Sequence, residues 1–276
     1  MFDTNKETKY IDIHSHLNDH RFDDDIIDVL SRMREKKVKS IIVGTDLSMS
    51  QRAIALAEMN ADLWATIGLH PTDNAKEDFD INVYTKMAAH PRVVAIGECG
   101  LDYYWPAHDA WPKGEREEKA RQQELFEKQI TIAMNAKKPL MIHGRPTNGS
   151  MDAYEDIIAI LKNHDGVGGN VHFFVGNTGI AKRFLDIGFT MSYTGVLTFS
   201  GDYDEVVRYL PLDRIMSETD APYVAPKSQR GKRNEPVFVV ETVSRIATIR
   251  NMDEREVARI LVENAEQSFG IKIQET

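Results

Sequence analysis

Six residues of metal-ligating type recur at equivalent places along the chain. His14 and His16 close the run Ile11-Asp12-Ile13-His14-Ser15-His16, Glu98 closes Ile96-Gly97-Glu98, and His143 closes Leu140-Met141-Ile142-His143. His172 stands within the sixth apolar run, Asn170–Phe174, and Asp220 follows Ser217-Glu218-Thr219. In an extended segment alternate side chains share a face, so both imidazoles of the His-x-His pair can reach one cation. A lone histidine at a strand end is ordinarily a hydrogen-bonded structural residue, but six such donors at matching positions predict a metal site. Imidazole and carboxylate suit zinc, manganese, iron or nickel, and carboxylates also accept magnesium. One open tetrahedral zinc needs only three protein ligands. Six therefore predict two divalent ions (Mg, Mn or Zn) sharing a carboxylate. Glu98, central in the order, is expected to bridge, with His14, His16 and Asp220 on one ion and His143 and His172 on the other. No lysine ends the fourth run, so Glu98 takes the place a carboxylated lysine fills in many two-metal barrels. The expected chemistry is hydrolysis, with Glu98 and Asp220 catalytic and Asp220 moving a proton from water to the leaving group.

These residues need a scaffold that brings distant segments to one face. Eight short apolar runs are candidate strands: Tyr10–Ile13, Ser40–Gly44, Leu63–Gly68, Val93–Gly97, Leu140–Ile142, Asn170–Phe174, Phe189–Tyr193 and Arg214–Ser217. They read as continuous apolar runs, as strands buried on both faces do. Helical spacing marks Asp23–Lys37, Glu115–Ala136, Met151–Asn163, Gly179–Ile187, Pro236–Arg250 and Asp253–Phe269, the last with Asp253 as N-cap and Gly270 as its end. Strands alternating with helices over this length predict an α/β fold, a closed (β/α)8 TIM barrel, as one domain over residues 1–276. All the candidate ligands then fall at or near the C-terminal strand ends, where barrel chemistry occurs. A doubly wound open sheet is the other architecture with this pattern. The glycines at 166, 168 and 169 lack the spacing of a dinucleotide-binding turn, and no Walker-type lysine motif is present.

The chain has 34 basic and 43 acidic residues and a net charge of -9, which excludes a generally basic protein that coats polyanions. A nuclease remains open, because it needs only a locally positive cleft. A single cysteine, Cys99, excludes an intrachain disulfide or a thiolate-built zinc site, and is read as a small buried residue. The first ten residues have no apolar core of a signal peptide, and no run approaches the ~20 residues that span a bilayer. The expectation is a cytoplasmic protein with no membrane association and no obligate protein partner.

The motifs together resemble the TatD family of metal-dependent deoxyribonucleases, within the amidohydrolase-like superfamily. The matching segments are Asp12-Ile13-His14-Ser15-His16, Gly68-Leu69-His70-Pro71, Gly97-Glu98-Cys99-Gly100-Leu101-Asp102-Tyr103, Pro139-Leu140-Met141-Ile142-His143, Glu218-Thr219-Asp220-Ala221-Pro222-Tyr223 and Arg233-Asn234-Glu235-Pro236. They span essentially the whole chain. The resemblance implies one to three divalent ions held by His14, His16, Glu98, His143, His172 and Asp220. It also implies phosphodiester hydrolysis, often from a 3′ end of single-stranded DNA, with His70 and Arg145 at substrate phosphate. A guanidinium fork suits that last role. Two features depart from the family's pattern: His172-Phe173-Phe174-Val175-Gly176 is more apolar than the usual His-Cys-Phe-Ser-Gly, and the aromatic loop Tyr103–Arg116 is long. The alternative is a hydrolase of the same fold acting on an ester, such as a D-aminoacyl-tRNA; a non-enzymatic protein with a structural metal is the third class.

Two further segments bear on substrate. The loop with Tyr103-Tyr104-Trp105-Pro106 and Trp111-Pro112 is either an aromatic plug on the rim or a stacking surface for bases. The run Lys227-Ser228-Gln229-Arg230-Gly231-Lys232-Arg233 is either a solvated loop or a contact for phosphates, with Arg233 alternatively paired to Glu235 or another carboxylate. His20, His90, His108 and His164 are expected on the surface.

Overall fold

Runs of Ile, Val, Leu and Phe become eight parallel strands, because a strand covered on both faces buries every side chain rather than every second one. The computed structural model describes residues 9–72, 78–104 and 114–273. The strands are β1 (Tyr10–Ser15), β2 (Val38–Ile42), β3 (Leu63–Ile67), β4 (Val93–Asp102), β5 (Leu140–Arg145), β6 (Gly169–Val171), β7 (Thr190–Tyr193) and β8 (Ile215–Ser217). Each pairs with its sequence neighbour in the order β1 to β8. The ring closes where β8 and the residues after it meet β1. Ser217 Oγ donates to Ile11 O at 3.0 Å, Asp220 N to His14 O at 2.9 Å, and His16 N to Ala221 O at 2.7 Å. This is a TIM barrel, closed rather than an open sheet.

The helices are α1 (Ile26–Lys36), α2 (Leu47–Met59), α3 (Ile81–Ala88), α4 (Glu115–Ala136), α5 (Asp152–Leu161), α6 (Thr178–Asp186), α7 (Asp204–Tyr209), α8 (Val239–Arg250) and α9 (Glu254–Phe269). Six follow the helical spacing read from the sequence. The expected start at Asp23 is instead a turn between the 3-10 turn His20–Phe22 and α1, and that at Pro236 is a 3-10 turn, Pro236–Phe238. The helices α2, α3 and α7 carry a shorter or weaker apolar stripe. Asp46 and Asp80 cap the first two, their carboxylates accepting from Met49 N and from Asn82 N. Those N-cap residues are the signal that the spacing alone passes over.

Four strand limits that concern a candidate ligand differ from expectation, the first being β1, which continues past Ile13 to Ser15 so that His14 lies inside it. The fourth strand continues five residues past Gly97 to Asp102, so Glu98 lies inside β4 rather than after it. The fifth continues to Arg145, so His143 lies inside β5. The sixth ends at Val171, so His172 follows β6 rather than lying within it.

Two glutamines on α4 anchor strand ends. Gln129 accepts from Leu69 N and donates to Leu69 O, both at 2.9 Å. Gln122 does the same for Asp102, at 2.9 and 3.0 Å. Seven residues apart, they share one helix face. Each satisfies both backbone groups of a residue where the ladders end, and so fixes the backbone beside His70 and at Asp102. At the opposite end, α9 is capped by the Asp253 carboxylate and terminates on Gly270 at φ 61. Its Asn264 donates to Leu212 O and Ile215 O at the start of β8. Cys99 is fully buried in the main apolar cluster, and burial pushes its thiol well up.

Candidate metal centre

The C-terminal strand ends converge on Glu98, whose two oxygens face different histidine pairs. Oε2 lies 3.5 Å from His14 Nε2 and 3.8 Å from His16 Nε2. Oε1 lies 2.8 Å from both His143 Nδ1 and His172 Nε2. Asp220 Oδ1 approaches the first pair, 3.3 Å from His16 Nε2 and 3.8 Å from His14 Nε2. His70 Nε2 is 3.6 Å from Glu98 Oε1, on the second pair's side. The fold thus gathers all six candidate ligands and His70 into one cluster.

The donor chemistry fits cations. Within the first pair the two Nε2 atoms converge to 3.3 Å, and within the second His143 Nδ1 and His172 Nε2 converge to 3.4 Å. Neutral imidazole lone pairs repel at that distance unless a proton or cation lies between them. The sets His14–His16–Glu98 and Glu98–His143–His172 each hold their ligand atoms within 4.8 Å of one another, and Glu98 belongs to both. The buried Nδ1 of His14 has no hydrogen-bond partner among the described residues. Mixed imidazole and carboxylate donors of this kind suit divalent transition metals.

Local structure explains the aim of each side chain. His14 lies on β1, and His16 follows its end, where His16 N donates to Ala221 O at 2.7 Å. His16 Nδ1 donates to Val43 O at 3.3 Å, which leaves Nε2 for Glu98 and Asp220. Asp12 is buried and accepts from Thr219 Oγ1 at 2.5 Å and Thr219 N at 2.9 Å, so it ties β1 to the segment carrying Asp220. Burial holds the Asp12 carboxyl well above the usual carboxylate range, against those hydrogen bonds. Asp220 itself adopts the left-handed backbone conformation, φ 58, which turns its carboxylate back toward the histidines.

Two carboxylates that the sequence reading passed over back the rings. Asp102, last in β4, puts Oδ2 3.1 Å from His143 Nε2, opposite Glu98. It shares a strand face with Glu98, four residues earlier, and the Gly-Glu-Cys-Gly-Leu-Asp motif contained that signal. Glu218 Oε1 lies 3.7 Å from His172 Nδ1. Glu218 also accepts from Phe173 N at 2.6 Å and Ser192 Oγ at 2.8 Å. Carboxylates in such positions orient imidazoles and raise their basicity.

The electrostatics follow from crowding five histidines around buried acids. Burial alone would raise Glu98; the charge of His172, first, and the hydrogen bonds from His14 and His143 outweigh it and hold the carboxyl well below its usual range. Burial disfavours charge on His143, but hydrogen bonds to Asp102 and Glu98 overcome that and push it up to about 9. His172 is likewise raised, burial being outweighed by Glu98 and Glu218. Burial and the neighbouring His143 charge drive His70 down to about 3, so its ring is neutral at pH 7.

The cluster floors a cleft of about 750 Å³ whose walls include Arg145, Phe173 and Tyr223. Arg145 stands two residues beyond His143 on β5, hence on the same face, with its guanidinium 3.9 Å over the Tyr104 ring. Phe173 and Val175 make the His172 side apolar, as the sequence indicated. Tyr103 is buried and hydrogen-bonds Asp156 at 2.9 Å, which makes it structural. Trp105, Pro106, Trp111 and Pro112, the centre of the aromatic loop, lie outside the described residues, as does His108. His20, His90 and His164 pair with Asp23, Glu58 and Glu127 away from the cluster.

Arg233 takes the structural role open to it. Its guanidinium donates to both Asp25 oxygens at 2.8 and 2.6 Å, to Glu235 at 3.2 Å and to Arg21 O at 2.6 Å. It thereby pins the loop after β8 to the start of α1. Arg233→Ala is expected to lower stability by ~1–2 kcal/mol, since it leaves partly buried partners of a charge-assisted network unsatisfied. A denaturant titration midpoint equal to wild type would show the loop is held by other contacts.

A closed eight-stranded parallel barrel with a histidine–carboxylate cluster at the strand ends is the architecture of a metal-dependent hydrolase. The chain belongs to the TatD related DNase family, whose model matches residues 11–270. It is 38% identical over 266 residues to the metal-dependent hydrolase YabD of Bacillus subtilis (strain 168), covering 94% of this chain and 98% of that one. It is 33% identical over 269 residues to the metal-dependent hydrolase YcfH of Escherichia coli (strain K12), covering 95% and 96%. The crystal structure of YJJV, a TatD homolog from E. coli K12, superposes with a TM-score of 0.82 at 27% identity, over 96% of this chain and 99% of that one. Among the described residues no helix is long and apolar enough to cross a membrane.

Proposed function

We propose that this metal-dependent hydrolase is a deoxyribonuclease that cleaves phosphodiester bonds of single-stranded DNA from the 3′ end with two divalent cations. The observation that carries the reading is Glu98, with one oxygen turned to each histidine pair, beside an arginine on the same cleft. His14, His16 and Asp220 would hold one cation and His143 and His172 the other, with Glu98 between. Divalent cations supply Lewis-acid polarisation of a phosphoryl oxygen and make water acidic enough to attack at neutral pH. Asp220, at the cleft wall, receives the proton of the attacking water and returns it to the leaving oxygen. Arg145, its plane set by the Tyr104 face, takes the phosphate bidentately. His70, neutral, donates a hydrogen bond to the same group.

The test is digestion of a 3′-labelled single-stranded oligonucleotide with Mg²⁺ or Mn²⁺. Stepwise release is expected. Intact DNA together with turnover of an aminoacyl ester would transfer the reading to an ester hydrolase, which the apolar Phe173 and Val175 walls favour.

Metal loading is also expected to release protons. His143 and His172 are protonated at pH 7 without metal, and ligation requires the neutral rings. Protons should leave on metal binding at pH 7, fewer as the pH rises past about 9, where His143 is already neutral. Titration calorimetry in two buffers of different ionisation enthalpy reads this directly; identical heats in both would contradict it.

A further inference from the structure

We propose that the rim between β7 and β8 is a docking track for the single strand leaving the cleft, an inference that rests on the nuclease reading above. After β7 the chain makes a 3-10 turn, Gly195–Thr198, and presents Phe199 with its ring 42% exposed. Arg230 holds its guanidinium 4.3 Å over that ring. Lys227 N donates to Thr198 Oγ1 at 2.8 Å, so the turn after β7 and the segment after β8 form one surface. Lys227, Arg230 and Lys232 are exposed, and none has a carboxylate partner among the described residues. Their neighbour Arg233 differs, being consumed by Asp25 and Glu235.

The surface starts at the cleft itself. Tyr223, a cleft residue, is 46% exposed, with its ring 5.9 Å from that of His16 and the Arg21 guanidinium 4.4 Å over it. Tyr223 and Lys227 are four positions apart, at most ~14 Å of chain. The rim therefore offers two exposed rings, each with a guanidinium over it, and three cations without acidic partners among the described residues, one of them the Arg230 that covers Phe199. In a chain of net charge -9 this local excess runs against the overall sign. Sequential bases stacking on rings while cations meet the phosphates is how single strands are held without sequence preference.

The test measures binding of a labelled oligothymidine of roughly 20 nucleotides by fluorescence anisotropy, in EDTA, over a range of salt. Full-length wild type is compared with the triple variant Lys227→Ala, Arg230→Ala, Lys232→Ala, with Phe199→Ala, and with Lys227→Arg, Lys232→Arg. Single strands lose ~0.7 in salt slope per phosphate contact, so the triple variant should lose about 2 from the slope. Phe199→Ala should weaken binding roughly 10-fold with the slope unchanged, as loss of one stacked base does. The arginine variant should keep the wild-type slope, which separates charge from folding. Equal slopes and affinities in wild type and triple variant, or no binding by wild type, would overturn the track. Because EDTA removes catalysis, binding that the triple variant loses supports the track even where metal-loaded protein leaves DNA intact. That last result counts against the nuclease reading alone.

Discussion

Glu98→Gln is expected to lower kcat on a single-stranded oligonucleotide by ~10³-fold or more, the largest loss of any single change of this size. Glutamine keeps the shape but exchanges one anionic oxygen for an NH2 group, which is a donor. Either histidine pair that meets this group then loses the oxygen 2.8–3.8 Å away that the wild type supplies. The two cations that Glu98 would bridge would then share a neutral ligand in place of an anionic one. Lewis-acid stabilisation is worth several kcal/mol, and each 1.36 kcal/mol is tenfold in rate, which gives the figure. The variant also removes one of the two acids that keep His143 charged, so the pKa of about 9 should fall, with Asp102 still opposing burial. Two measurements decide the matter together: turnover and metal content by elemental analysis. A variant with wild-type turnover would remove Glu98 from the proposed bridging role.

Metal removal should have the largest effect on stability. The unfolded chain scatters the six donors across more than 200 residues, from His14 to Asp220, so cations bind the folded form almost alone. At a metal concentration ~1,000 times the Kd the linkage is ~4 kcal/mol for each cation. For a chain of this size each kcal/mol moves Tm by ~2–4 °C, so EDTA should lower Tm by roughly 8–16 °C for each cation it removes. The physical source is the cluster's own frustration: without cations, imidazole nitrogens 3.3 and 3.4 Å apart and several buried acids depend on shared protons. Thermal scans with EDTA, Mn²⁺ and Zn²⁺ check this. Coincident curves in all three would mean that the cluster does not hold metal under those conditions.

Much of the barrel was legible because its signals are local. The eight runs carry the continuous apolar patterning of buried strands in a few residues each, and all eight formed strands. The six amphipathic stretches did likewise. The limits were less legible where a ligand sits in the strand. Val93–Gly97 reads as a finished run because Glu98, Gly100 and Asp102 break the apolar pattern, yet the ladder to β5 continues through Gly100 and Asp102. Polar side chains there lie over the cleft, not the core, so hydropathy stops before the hydrogen bonds do. The reverse happened at Phe173 and Phe174, whose apolar character extended the expected sixth strand past its true end at Val171.

The sequence by itself determined which donors are present: His14, His16, Glu98, His143, His172 and Asp220 stand at strand ends, and strand direction sends all such ends to one face. Residue type and spacing were enough for that. The pairing of His14 with His16 and of His143 with His172 was expected from the sequence; only the tertiary structure set its geometry. It put His14 and His16 on one oxygen of Glu98 and His143 and His172 on the other. It placed Asp102 and Glu218 behind the rings, and it spent Arg233 on Asp25 while leaving Lys227, Arg230 and Lys232 on the rim. Those outcomes depend on angles around a closed ring of strands and on contacts between residues up to 208 positions apart. No local pattern records them, because each is fixed by where the barrel closes rather than by the neighbours of the residue in the chain.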